Sequence, residues 1–196
     1  MYRDQKEDLP VTCTTENCKG KVFIVTGANT GLGLEAAKHL VRCRPMKVIL
    51  AVRSLDKGEE AKRKIGAETD VTGVAEVWQL DMASYDSIKA FARKAETLDR
   101  LDAVIENAGR AAPSFTRSEG LETSVTINVT GTFLLAALLL PKLRSTAASG
   151  GTKTHLTIVG SGAAFFVAGE LEKLDEDASI LEQLSDEKKP YVGDKQ

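Results

Sequence analysis

Cysteine is scarce in this chain. Cys13, Cys18 and Cys43 are the whole complement in 196 residues. An odd number cannot close a disulfide framework, and the spacing matches neither a zinc site nor a paired redox motif. Free thiols in a reducing compartment are expected, and no metal site is read here. Histidine is scarcer still: His39 and His155 are alone and read as structural. Charge is close to balanced at −2 with no basic block, which removes the electrostatic case for a nucleic-acid partner. The first 20 residues are polar and hold no apolar signal core. The longest apolar run, Phe133 to Leu140, is far too short to cross a bilayer, so no transmembrane segment is expected. Internal repeats and low-complexity tracts are absent. What remains is ordinary for a soluble, cytoplasmic protein: 42% hydrophobic, 28% charged, and long enough for one domain with a substantial core.

From Lys21 onward, strand-like and helix-like segments alternate. Strands are expected at Lys21–Thr26, Lys47–Val52, Val74–Leu80, Leu101–Glu106 and Thr154–Val159. Helices are expected at Leu34–Arg42, Leu55–Ile65, from the Ser84 N-cap through Ala95, and from Glu119 to about Ser145. This α/β alternation with short connections predicts a doubly wound parallel sheet, Rossmann-like, with helices on both faces. Residues 1–19 lack periodicity and read as a mobile arm or a lead-in lying across the domain. The acidic stretch Gly169–Lys189 predicts one or two short helices, either a solvated insertion or a wall beside a site.

The chain is organised around residues 21–33, KVFIVTGANTGLG. Glycines at 27, 31 and 33 join a strand to a helix whose face carries Leu34, Ala37, Leu40 and Val41. That geometry holds a pyrophosphate: glycines admit the anion to the backbone, and the helix start supplies free N–H groups. The spacing G-x-x-x-G-x-G is not the G-x-G-x-x-G of the ordinary dinucleotide fingerprint. A turn that only packs a helix on a sheet is the plainer alternative.

Later features bear on that turn. An NAD site places an acid at the end of the second strand, whereas Arg53 stands there, with Lys57 one helical turn on. Arginine suits a 2′-phosphate, so NADP is favoured over NAD; the plainer alternative is a solvated surface arginine. Asp81, followed by Met82, closes the third strand and suits an adenine amino group, though aspartate also forms turns. Asn107-Ala108-Gly109 closes the fourth with small residues that leave room for a ribose, or simply turn the chain. Tyr191 and Lys195, at i and i+4, share a helix face. A lysine there lowers a tyrosine pKa from ~10 toward 7, a shift of about 4 kcal/mol. Asn128 lies in Asn-Val-Thr, formally a glycosylation sequon, discounted for a buried helix.

Taken in order, these motifs resemble the short-chain dehydrogenase/reductase family, most of all fungal, retinol-dehydrogenase-like members that act with NADP. The likeness spans about residues 19–196. Thr26, Gly27, Ala28, Asn29, Thr30, Gly31, Leu32 and Gly33 match its cofactor turn, Asp81 its adenine-site acid, and Asn107-Ala108-Gly109 its NAG signature, with Glu106 where many members carry asparagine. Asn128, Ser161, Tyr191 and Lys195 match its catalytic residues, with Gly160 replacing a frequent serine. The resemblance implies an NADP-dependent oxidoreductase that passes a hydride between nicotinamide and a carbonyl or alcohol. Tyr191 is then the proton donor or acceptor, and Lys195 lowers its pKa and holds the nicotinamide ribose. Ser161 binds the substrate oxygen and Asn128 positions a relay water. It also implies a small-molecule substrate, a role in secondary metabolism, and a homodimer formed through the helix of Asn128 and the helix starting at Tyr191. The domain is then residues 20–196 and incomplete at its C-terminus, because the sequence stops at Gln196 just after this motif. A truncated, catalytically impaired nucleotide-binding member is the alternative.

Overall fold

The computed structural model describes residues 13–111, 114–162, 169 and 171–188. Its elements in chain order begin with α1 (Thr15–Cys18), β1 (Val22–Thr26), α2 (Gly31–Arg42), β2 (Lys47–Val52) and α3 (Leu55–Thr69). They continue with β3 (Ala75–Gln79), α4 (Tyr85–Glu96), β4 (Ala103–Glu106), and a small hairpin of β5 (Arg117–Ser118) and β6 (Leu121–Glu122). The long helix α5 (Thr123–Gly150), β7 (His155–Ile158) and α6 (Ile180–Leu184) complete the fold.

The main sheet runs β3-β2-β1-β4-β7, every pair parallel. Alternating side chains serve opposite faces, which is why the strands read as continuous apolar runs. Ile24, Ile49 and Val104 face a layer made by α4 and α5, where Ile88, Phe91, Leu135 and Leu139 are buried. Phe23, Val25, Val48 and Leu50 face α2 and α3, which bury Leu34, Ala37, Leu40 and Ile65. Each such side chain contributes about 1.5–3 kcal/mol when fully buried. Asp102 ties the start of the sheet by accepting from the Val22 N–H at 2.9 Å, and Arg100 grips both its oxygens. Strand order reverses between β1 and β4, and a doubly wound sheet opens its ligand crevice at such a point.

Within the N-terminal segment, Thr14 and Asn17 form a reciprocal capping box that starts α1. Three readings need correction. Helix α3 runs four residues past Ile65, to Thr69, and ends at Asp70 in a left-handed conformation. The long helix does not begin at Glu119. Glu119 and Gly120 have φ of 51° and 83° and turn the β5–β6 hairpin, and α5 starts at Thr123 under the Glu122 side chain. The helix is also longer than its apolar run: over Thr123–Gly150 it is long and apolar enough to cross a membrane, yet Leu135, Leu139 and Leu143 lie buried against the sheet layer.

The third correction concerns the cysteines. They remain free thiols, but they are not scattered: their Sγ atoms all lie within 4.8 Å of one another. Cys13 precedes α1, Cys18 ends it, and Cys43 caps the C-terminal end of α2, so a contact set by tertiary packing was invisible to linear spacing. Burial and the neighbouring thiols push Cys18 up to about 12. The acidic stretch forms a 3₁₀ turn at Leu171–Lys173 and α6, as expected. Within it Ser185 is buried and joins the hairpin: its hydroxyl accepts from the Glu122 N–H and its carbonyl from the Arg117 guanidinium, both at 2.9 Å.

Candidate active site at the carboxyl edge of the sheet

A cleft of about 350 Å³ opens where β1 and β4 diverge. Gly27 and Asn29 line it from the first turn, Arg53 from the end of β2, Asp81 and Met82 from the end of β3, and Ala108 and Gly109 from the end of β4. Four separate strand ends thus deliver these residues, whereas Gly31, Leu32, Gly33 and Asn107, marked with them in the sequence, do not line the cleft. Arg53 is exposed and makes no ion pair among the described residues. Lys57 does not join it: it lines a neighbouring groove between α2 and α3, with Thr30, Glu60 and Lys64. Asn29 borders both spaces.

The start of α2 is built to receive an anion. Helices α3 and α4 are capped by Ser54 and Ser84, whose hydroxyls accept from the third helical N–H. Thr30 holds the same extended N-cap backbone, but its side chain caps nothing. The first N–H groups of α2 are therefore left without a side-chain acceptor, next to exposed Gly31 and Leu32. Gly33 cannot be larger, because a Cβ there would collide with the Asn107 side chain and stand 2.5 Å from the Gly27 carbonyl oxygen.

Thr26 opens the matched turn, but its tie to the end of β4 is not legible in the sequence. It is fully buried, and its hydroxyl accepts from the N–H groups of Asn107 at 3.0 Å and Ala108 at 2.9 Å. Its carbonyl accepts from the Asn107 side chain at 3.1 Å. The glycine turn and the Asn107-Ala108-Gly109 turn are thus one rigid unit, joined across 81 positions of sequence. Asp81 commits one carboxylate oxygen to the Ala83 N–H at 3.0 Å, and its own N–H donates to Ser87 at 2.9 Å, which fixes the strand-end turn.

Asn128 lies in a π-helical segment of α5, Thr126–Gly131. Such widened turns occur often at functional sites. It is exposed rather than buried, correcting the setting assumed for its sequon. Its side-chain oxygen accepts from the Arg110 N–H at 2.8 Å and its amide donates to the Arg110 carbonyl at 2.7 Å. Gly131 lets this segment approach the sheet: a Cβ would stand 2.7 Å from the Met82 carbonyl oxygen. Ser161 follows β7, whose end pairs with Glu106, so it issues from the same sheet edge. Tyr191 and Lys195 lie outside the described residues.

Glu106, the last residue of β4, is 2% exposed, and neither carboxyl oxygen has a partner among the described residues. Burial pushes its pKa up to about 8, so it is held as the neutral acid at pH 7.

The family model for short chain dehydrogenases matches residues 21–173. The chain belongs to the short-chain dehydrogenase family. It is 52% identical over 163 residues to the short chain dehydrogenase/reductase dmxR8 of a Cryptosporiopsis species, covering 82% of this chain and 50% of that protein. It is 44% identical over 159 residues to the short chain dehydrogenase atnD of Emericella nidulans, covering 81% and 50%. The chain spans about half the length of these curated relatives. Among solved structures, a short-chain dehydrogenase from Escherichia coli complexed with NADPH is 30% identical, with TM-score 0.55, covering 66% of this chain and 56% of that one. A short-chain dehydrogenase from Sphingobium yanoikuyae in complex with NADPH shares the fold at TM-score 0.62 and 24% identity, covering 74% and 55%. Within this family, the chain carries a five-stranded parallel sheet with the cleft at its carboxyl edge.

Proposed function

We propose that this short-chain dehydrogenase is an NADP(H)-dependent oxidoreductase that interconverts a carbonyl and an alcohol on a small molecule. One observation carries the reading: Gly27 and Asn29 of the turn that leads into the uncapped start of α2, Arg53 at the end of β2 and the small residues after β4 all border one crevice at the reversal of strand order. A dinucleotide fits that donor set. The first N–H groups of α2 would hold its pyrophosphate, Arg53 a 2′-phosphate, Asp81 and the Met82 backbone the adenine, and Asn107 to Gly109 would leave room for the ribose. When bound, this cofactor supplies or accepts the hydride.

The chain's own residues do the rest. Asn128, anchored on Arg110, holds a relay water; Ser161 binds the substrate oxygen; Tyr191 moves the proton, and Lys195 lowers the tyrosine pKa. All four roles enter through the resemblance of the motifs. Likeness to fungal family members supports a place in secondary metabolism. An apolar stripe on α5, with Val129, Phe133 and Leu140 exposed, supports a homodimer through that helix.

The test is fluorescence titration with NADPH and NADH, followed by NADPH oxidation with a panel of ketones, aldehydes and quinones. NADPH should bind at least tenfold more tightly than NADH. Equal affinities overturn the NADP assignment. Tight binding with no turnover leaves a nucleotide-binding protein with impaired catalysis.

A further inference from the structure

All three cysteines of the chain meet at one point, and that point is not the cleft. Cys18 stands just before β1, where its carbonyl accepts from the Lys21 N–H at 3.1 Å. Cys43 caps the far end of α2. The cofactor turn occupies the opposite ends of both elements. The Sγ atoms of Cys13 and Cys18 are 3.1 Å apart, and all three sulfurs fall within 4.8 Å. Cys18 and Cys43 are 1% and 6% exposed, while Cys13 is only half-buried. The other polar contacts are weak: Cys43 donates to the Cys13 carbonyl at 3.4 Å and Cys18 to the Asn17 side chain at 3.5 Å.

We propose that Cys13, Cys18 and Cys43 form a three-sulfur site for one thiophilic d¹⁰ cation. With metal–sulfur bonds of about 2.3 Å, a trigonal site needs sulfurs about 4 Å apart. Small side-chain rotations reach that spacing from the observed cluster. A donor set of sulfur alone selects soft ions over Mg²⁺ or Ca²⁺. Among the described residues no fourth ligand belongs to the cluster, and three thiolates satisfy Cu(I). Zn(II) would complete a tetrahedron with solvent beside half-exposed Cys13. Binding forms three metal–sulfur bonds, breaks three S–H bonds and releases three protons to the buffer; no electron is transferred. The ion would clamp the segment around α1 onto α2. This inference does not rest on the oxidoreductase reading.

The experiment uses the full chain, reduced and desalted without oxygen. Cu(I) is titrated against a chromogenic Cu(I) chelator and Zn(II) against a zinc indicator, with proton release recorded. Wild type should hold one equivalent at least 100-fold more tightly than C13S, while NADPH affinity is the same in both. Cys13 is the half-exposed ligand, so its serine variant should keep the fold; C43S is the second variant, checked by circular dichroism. Retention by Cu(I) alone or by Zn(II) alone supports the site and names its ion. Three titratable thiols with no uptake, uptake unchanged in C13S, or a Cys13–Cys18 disulfide that forms in place of metal binding would each overturn it.

Discussion

Asn128 and the backbone of Arg110 are joined by two reciprocal hydrogen bonds, at 2.8 and 2.7 Å. A side-chain amide is the group that can make both, because it carries an acceptor and a donor on one plane. The pair fixes the chain leaving β4 against the π-helical segment of α5. It therefore links the β4 side of the cleft to the helix whose Ile127 lines it.

That linkage gives the first prediction. Asn128→Asp keeps the bond from the Arg110 N–H but sets a carboxylate against the Arg110 carbonyl. One bond lost at an exposed position costs about 1 kcal/mol. For a chain of this length that lowers Tm by about 2–4 °C. Asn128→Ala should lower it somewhat more, because both bonds go. Differential scanning calorimetry of both variants checks this, and an unchanged Tm in Asn128→Ala would show that the pair does not hold the segment.

Arg53→Ala should weaken NADPH binding tenfold or more and leave NADH within about twofold. The guanidinium borders the cleft without a carboxylate partner among the described residues, so its charge is available to a phosphate. Lys57→Ala should matter less, since Lys57 lines the adjoining groove. Isothermal titration of both variants with both nucleotides decides it. Equal losses for the two nucleotides would remove Arg53 from phosphate recognition.

Thr26→Val should damage the site out of proportion to the change in shape. The methyl replaces a hydroxyl that accepts two N–H groups, and Asn107 and Ala108 are left with unmet donors at 1–3 kcal/mol apiece. We expect both lower stability and at least a tenfold loss of NADPH affinity. Thr26→Ser, which keeps the oxygen, should restore most of the affinity. If Ser and Val behave alike, the hydroxyl is not what joins the two turns.

Much of this was legible in the sequence. Parallel strands buried on both faces produce unbroken apolar runs, and β1, β2 and β4 were visible for that reason. The glycine turn and Arg53 were legible because each sits at a strand end, where sequence position alone marks it. What was hidden depends on contacts between distant positions. Thr26 looks like any strand threonine until Asn107 is placed beside it. The cysteines show no motif because their meeting is set by α1 folding against the end of α2. The start of α5 was misplaced because Glu119 adopts a left-handed turn that helix propensity does not register. Glu106 was seen only as a departure from asparagine, since burial is not written in residue type.

Glu106 supplies the last prediction. Its carboxyl has an ordinary pKa of 4.5 in the unfolded chain and about 8 in the folded one. Below pH 4.5 both states hold the proton, and this group leaves stability untouched. Between pH 4.5 and 8 the unfolded chain releases the proton while the folded chain retains it. Stability then falls as pH rises, by up to ~1.4 kcal/mol per pH unit, and the loss levels off above pH 8. Across the window the total is on the order of a few kcal/mol. Glu106→Gln removes the titration and keeps the shape. Urea denaturation at pH 5, 6.5 and 8 should therefore show wild type losing stability steadily while the variant stays nearly flat, with the variant ahead by the widest margin at pH 8. Parallel curves for the two proteins would mean that Glu106 is ionised in the fold and has found a cation or donor outside the described residues. The same carboxyl adjoins Asn107, which packs on Gly33, so its ionisation also threatens the cleft. NADPH affinity of wild type should accordingly decline above pH 8 more steeply than that of Glu106→Gln.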